Sequence, residues 1–297
     1  MTTGTDTPAS LNPIGGSRVA VIAGGGALPR AVVHTLAAQG LNPFVVVVEG
    51  EAQPEGAFAK VNHAIMPLED FGRLIPRLKK EGVGRLVMAG DVTRRPRLSA
   101  IRWSLSTLAL IPRVASALRR GDDGLLRAVI NVIEDAGIRV VGAHEIVPDL
   151  LAPHGLMTKA APTAADRLDI AAGSEAAIAL GELDIGQGAI SIGGRVIALE
   201  GIEGTDGLLE RTARMRGHGR LAGKARGVLV KRCKPQQEHR ADLPAIGPDT
   251  IDAAHAAGLV GIAVEAGRSF ILDFAQTTAR ADELGLFVVG LSGETTP

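Results

Sequence analysis

Four short aliphatic runs alternate with helix-length segments through the first half of the chain, and this spacing limits the fold more than any other feature. They are "RVAVIA" (18–23), "FVVVV" (44–48), "RLVMAG" (85–90) and "IRVVGA" (138–143). A near-continuous run of Val, Ile and Leu suits a parallel strand covered on both faces. Between the runs, residues 28–39, 68–81 and 121–137 carry helical patterning, with Pro29 tolerated in a first turn. Strands and helices in this order predict a doubly wound, Rossmann-like parallel-sheet domain over 18–147.

The character changes after about residue 145. "VPDLLAPHGLMTKAAPTAAD" is rich in proline and predicts a linker over 148–163. Beyond it, a long helix is expected from about 164 to 181. "GAISIGGRVIALEG" (188–201) reads as a hairpin turning at Gly193-Gly194. Strands are expected at 226–231, on both sides of a glycine in 259–273, and at 286–290, with a helix near 248–257. These predict a C-terminal mixed α+β domain over 164–297. Residues 1–17 are small and polar and are expected to form a disordered tail.

At 297 residues, two domains of ordinary size are available, and 46% hydrophobic content supplies their cores. Lys plus Arg equals Asp plus Glu at 32 each, and there are six Phe, one Trp and no Tyr. Neither a basic footprint nor aromatic stacking platforms are present, so no nucleic-acid partner is expected. The single cysteine, Cys233, allows no internal disulfide and fits a reducing compartment. No apolar signal segment opens the chain, and "WSLSTLALIPRVASALRR" (103–120) is interrupted by Pro112 and Arg113. A soluble, cytoplasmic protein is expected.

The first chemical motif is "IAGGGALP" (22–29), a strand, three glycines and a helix start. Such a turn offers backbone N–H groups and a positive dipole end to a phosphate. It departs from the dinucleotide fingerprint because Pro29 stands where the third glycine belongs. Glu49, ending the second strand, is where an acid would hold a ribose, so a NAD-dependent oxidoreductase stays open. So does a tight turn without ligand. No Walker-type run occurs.

Other candidates follow strands. "AGDVTRRP" (89–96) offers Gly90 and Asp91, with Arg94 and Arg95 as phosphate partners. "GAHE" (142–145) offers His144 and Glu145. In the second half, "LDIGQGAI" (183–190) brings Asp184, Gly186 and Gln187. "EGIEGTDG" (200–207) brings Glu203, Gly204, Thr205 and Asp206, either as a metal or anion site or as a helix cap. "KRCKPQQEHRADLPAIG" (231–247) brings Lys234, Gln237, Arg240 and Asp242 in a cationic loop. Cys233, with His239 and Glu238 nearby in sequence, is formally a nucleophile, or a space-filling residue. No zinc motif is present.

These motifs, in order and spacing, resemble the LpxI-type UDP-2,3-diacylglucosamine pyrophosphatases over residues 18–290. They are "IAGGGALP", "GDDGLLR", "GAHE", "LDIGQGA", "EGTD", "KPQQEHRADLPAIG", "AGLVGIAVEAG" and "LGLFVVG". The resemblance implies magnesium-dependent hydrolysis of UDP-2,3-diacylglucosamine to UMP and 2,3-diacylglucosamine 1-phosphate in lipid A biosynthesis. It implies two domains with substrate between them, and it places the catalytic acid on Asp242. Gly24, Gly25, Gly26, Leu28 and Pro29 become the nucleotide side. Gly90, Asp91, His144, Glu145 and Lys159 become further substrate contacts. Gln187, Gly204 and Thr205 become second-domain walls, with Lys234 and Arg240 on the phosphates. Asp242, Asp206 and Glu203 are the expected Mg2+ ligands. A lipid substrate also implies peripheral contact with the inner-membrane surface, for which the cationic stretch 211–226 is a candidate beside a plain solvated face. A homodimer is one assembly this allows. A non-catalytic carrier of the same nucleotide-sugar lipid is the remaining alternative.

Overall fold

The computed structural model describes residues 18–56, 58–94, 122–221, 226–235 and 238–293. The tail 1–17, the apolar stretch 103–120, Arg95, Pro96 and Gln237 lie outside them. The chain divides into two compact units. One takes the described residues up to 94 together with Val132–Val141; the other takes 122–131 and everything from Gly142 onward.

The first unit is a five-stranded, all-parallel sheet built from β1 (Arg18–Ala23), β2 (Phe44–Val48), β3 (Asn62–Met66), β4 (Val83–Ala89) and β5 (Arg139–Val141), in the order β3-β2-β1-β4-β5. Every residue of β2, and β1 from Val19 onward, is buried. Each such aliphatic side chain contributes about 1.5–3 kcal/mol by leaving water. Helix α1 (Leu28–Ala38) follows β1 and buries Pro29, Val32, Val33 and Leu36. The expected helix over 68–81 is a 3-10 turn (Leu68–Arg73) running into α2 (Leu74–Lys80). Helix α3 (Asp122–Asp135) precedes β5. Strand β3 escaped the sequence reading because it is an edge strand: "NHAIM" is only partly covered, and Ile65 is exposed.

The chain order of the strands reverses at β1, whose neighbours are β2 and β4. Open α/β sheets bind ligands outside the carboxyl ends at such a point. The glycine loop after β1 and the Gly90-Asp91 loop after β4 both lie there.

The second unit has a six-stranded mixed sheet. Its strands are β6 (Gly155–Leu156), β7 (Gly188–Ser191), β8 (Val196–Leu199), β9 (Val228–Lys231), β11 (Gly261–Glu265) and β13 (Phe287–Leu291), in the order β6-β13-β11-β9-β7-β8. The hairpin β7–β8 forms at Gly193-Gly194 as expected. The centre, β9-β11-β13, is parallel. It is linked by crossovers carrying helices α7 (Pro248–Ala256) and α8 (Phe274–Leu284), after the four-residue α4 (Ala143–Ile146), α5 (Ala164–Glu182) and α6 (Gly204–Met215).

Both strands expected around the glycine in 259–273 form, as β11 and β12 (Phe270–Ile271); β12 leaves the main sheet and pairs in parallel with β10 (Ala245–Ile246). The stretch 148–163, expected as a linker, contributes β6 to the sheet edge through Gly155 and Leu156. Helix α5 lies close on β7 and β9 because Gly173 has no side chain; a Cβ there would be 2.6 Å from Val230 Cγ2.

Candidate active site

In the first unit, the glycines serve the protein first. Gly24 N–H donates to Ala89 O at 2.9 Å and Gly25 N–H to Asp91 O at 2.7 Å. A Cβ on Gly24 would be 2.4 Å from Asp91 O, and one on Gly90 would be 2.2 Å from Gly25 O and 2.6 Å from Pro29 Cγ. Two loops therefore approach backbone to backbone, with Pro29 packed against the second. The amides of Gly24 and Gly25, expected as phosphate donors, are committed elsewhere. What the turn retains is the α1 N-terminus at Leu28, since the first intrahelical acceptor, Ala27 O, is taken by Ala31 N–H. Gly26 supplies the left-handed turn, with φ of 82°.

The Asp91–Arg94 loop is tied down by a residue the sequence reading passed over. Glu51 accepts from Thr93 Oγ1 at 2.9 Å and from Arg94 N–H at 2.8 Å. Burial pushes the Glu51 carboxyl up, but these hydrogen bonds and the Arg94 charge prevail and hold it below the ordinary range. Arg94 pairs with Glu69 and donates to Glu49 O. The Glu49 main chain thus serves the loop, while its side chain is exposed.

In the second unit, register decides which motifs meet. Lys231 ends β9 opposite Gly188 of β7, Glu200 N–H donates to Gly188 O, and Glu265 ends β11. The "DIGQG", "EGTD" and "KRCK…DLP" segments therefore gather at the carboxyl end of the parallel strands. They are laced by buried polar groups. Lys231, 4% exposed, donates from Nζ to Thr205 Oγ1 at 2.8 Å and to Ala245 O at 3.1 Å. Thr205 Oγ1 donates to Glu200 Oε1 at 2.8 Å, and Glu200 Oε2 accepts from Gln187 N–H. Gly186 and Gly188 make room, since a Cβ on either would come within 2.8 Å of Glu200 atoms.

Asp242 lies on a tight turn, where the N–H groups of Ala241 and Asp242 both donate to Glu238 O. Asp242, Glu265 and Arg268 all act electrostatically on Cys233, so a charged group gathers at this end. Arg240 forks onto the Glu238 carboxylate and holds it below its ordinary range. Glu265, 2% exposed, accepts from Cys233 N–H and from Arg268 Nη1, both at 3.1 Å. Arg268 Nη2 contacts His239 Nε2. Burial, then Arg268 and His144, hold the His239 imidazole below its usual value. His144 thus joins this end of the unit, its ring lying over Gly142. Its Nδ1 is buried without a hydrogen-bond partner among the described residues.

Other expected residues have different occupations. Glu145 accepts from Gly142 N–H at 2.9 Å and caps α4. Lys234 is bridged to Asp184 at 2.6 Å, and Asp184 holds a left-handed φ of 53°. Gly204 makes the turn into α6 with φ of 69°. Lys159 is not brought to this end. β6 runs antiparallel to β13, so Lys159 emerges near the start of β13, where its N–H meets Asp282 and its ammonium is exposed. Glu203 pairs with Arg211 at 2.6 Å, and Asp206 is exposed in the first turn of α6. No group of three or more His, Cys, Asp or Glu poised to hold a metal ion occurs among the described residues. The expected trio of Asp242, Asp206 and Glu203 is therefore not a preformed metal centre.

Cys233 is no nucleophile here: burial above all pushes its thiol up to about 12. Four arginines of the cationic stretch 211–226 have partners within the protein, though Arg211, Arg214 and Arg226 stay exposed. Arg211 pairs with Glu203, Arg214 with Glu210 and Arg226 with Asp166, while Arg216 donates to Ala257 O and Gly258 O.

Two family descriptions divide the chain between them: the LpxI N-terminal domain matches residues 18–150 and the LpxI C-terminal domain residues 153–289. The chain belongs to the LpxI family. A relative, the UDP-2,3-diacylglucosamine pyrophosphatase LpxI of Caulobacter vibrioides, is 38% identical over 284 residues, covering 94% of this chain and 99% of the relative. Among solved structures, CobK precorrin-6A reductase is 13% identical, covering 95% of this chain and 90% of its own, with a TM-score of 0.34. The protein gox2253 is 14% identical, covering 93% and 78%, with a TM-score of 0.33. Likenesses this faint carry no argument.

In this LpxI chain four of the residues missed by sequence reasoning share one signal. Glu200, Lys231, Arg232 and Glu265 are charged residues directly ending aliphatic runs, in "VIALE", "VLVKR" and "IAVE". A charge at the carboxyl end of a buried strand is costly unless it is paired, and here each one is, Arg232 by Glu265 at 3.5 Å.

Proposed function

We propose that this protein hydrolyses the pyrophosphate of UDP-2,3-diacylglucosamine, releasing UMP and 2,3-diacylglucosamine 1-phosphate in lipid A biosynthesis. The observation that carries this reading is the family match across both halves, with a full-length relative of that activity at 38% identity. The gathering of the family's second-half motifs at one end of one sheet supports it.

Hydrolysis needs an in-line water and neutralised phosphoryl charge. We assign the water to Asp242, whose carboxylate accepts its proton as one P–O bond forms and the bridging P–O bond breaks. Arg240, two residues before Asp242, and Arg268, which contacts His239 on the same turn, are assigned to the phosphates. Mg2+ is commonly held by one or two carboxylates together with substrate phosphates, and Asp242 would be its protein ligand here. When bound, the ion would neutralise charge on the phosphate oxygens. In the first unit, the α1 N-terminus, with Gly26, Leu28 and Pro29 beside Gly90 and Asp91, is assigned to nucleotide phosphate.

Contact with a membrane surface is part of the proposal. No helix among the described residues is long and apolar enough to cross a bilayer. Leu183, Ile185 and Ile202, on the loops flanking Glu200, are 70%, 54% and 100% exposed. Apolar tips at that position suit a diacylated substrate reached at a lipid surface.

The test is release of UMP by the purified protein in magnesium or EDTA, beside Asp242→Asn. Magnesium-dependent release, reduced by about 10²-fold or more in the variant, is expected. No release from the folded protein would overturn the function. Full release from Asp242→Asn would overturn the role of Asp242 alone.

A further inference from the structure

His239 lies three residues before Asp242 on the same turn, and its hydrogen-bond chemistry is settled by its neighbour. A guanidinium has donors only and stays protonated in proteins. Arg268 Nη2 therefore donates to His239 Nε2, which must accept. An imidazole accepting at Nε2 is neutral and carries its hydrogen on Nδ1. Arg268 is itself anchored, because Nη1 donates at 3.1 Å to Glu265, which is 2% exposed and also held by Cys233 N–H. Among the described residues nothing bonds Nδ1.

We propose that Arg268 fixes His239 as the neutral Nδ1–H tautomer and that this N–H is a contact for a phosphoryl oxygen of a nucleoside diphosphate. This rests on the pyrophosphatase reading for its ligand class. It makes His239 a fixed donor and not a base, because its one acceptor lone pair is occupied. The depression of its basicity by burial, Arg268 and His144 agrees with a ring that stays uncharged at neutral pH.

The tautomer is read directly from the imidazole nitrogen shifts of the 15N-histidine-labelled full chain, and UDP is the probe. Expected are an Nδ1–H pattern for His239, a shift of that Nδ1 on titration with UDP, and loss of the tautomer preference in Arg268→Ala. An Nε2–H pattern, or a UDP titration that leaves Nδ1 unmoved, would overturn the proposal. Turnover supplies an independent arm. His239→Asn keeps a donor near the Nδ1 position, whereas His239→Gln places its amide near Nε2. Asn should cost less than about tenfold in kcat and Gln about 10²-fold, the ordinary worth of one such donor. Equal losses in both would also count against it. A wild-type chain that shows the Nδ1–H pattern and the UDP shift but releases no UMP would strike the pyrophosphatase reading and leave this contact standing.

Discussion

Gly25 and Asp91 exchange two backbone hydrogen bonds: Gly25 N–H donates to Asp91 O at 2.7 Å, and Asp91 N–H returns a bond to Gly25 O at 3.2 Å. This clasp joins the loops after β1 and β4, and it exists because neither Gly24 nor Gly90 has a side chain.

Gly90→Ala should break the clasp. The residue holds φ of 83°, and its Cβ would sit 2.2 Å from Gly25 O. A loss of about 2 kcal/mol or more is expected in urea unfolding. Gly26→Ala, at φ of 82° with nothing within 4 Å, should cost only the strain of that backbone, about 1 kcal/mol.

Thr205→Val should leave the buried Lys231 ammonium and Glu200 carboxylate each short of a partner. The expected cost is about 1–3 kcal/mol in denaturant unfolding. Thr205→Ser, which keeps the hydroxyl, should recover most of it. If Val were as stable as the parent, the relay would not hold these segments together.

Cys233 should resist thiol reagents in the native state. Moving its thiol from an ordinary 9.0 to about 12 lowers the thiolate at pH 8 by about 10³-fold. Labelling of the folded protein should therefore be slower by at least that factor than labelling in denaturant. Cys233→Ala should still release UMP.

Asp166 should shape the acid limb of stability. The side chain is fully buried and accepts from Thr163 N–H, Thr163 Oγ1 and Arg226. Burial pushes its carboxyl up, but these partners prevail and hold it below the ordinary 3.8. Its contribution is then complete above the unfolded-state value and is lost as pH falls below about 4 through the lower folded-state value. Asp166→Asn should lower stability at pH 7 and flatten the decline between about pH 4 and pH 2, measured by thermal unfolding.

The aliphatic runs at 18–23, 44–48 and 228–231 and the glycine pair at 193–194 determined strands and a hairpin directly, because burial on both faces demands unbroken Val, Ile and Leu. The motif series also carried the family, since residue types and spacing survive in the chain itself. Tertiary structure alone decided the rest. Whether Gly24 and Gly25 offer their amides to a phosphate depends on which carbonyls lie opposite, and Ala89 and Asp91 are more than sixty residues away. Lys159 and Lys234 look alike as sequence, yet strand direction sends one to the start of β13 and pairing commits the other to Asp184. The partners that fix His239, Thr205 and Cys233 come from other strands and loops, and a charged or polar group acquires its chemistry from what desolvates and pairs it.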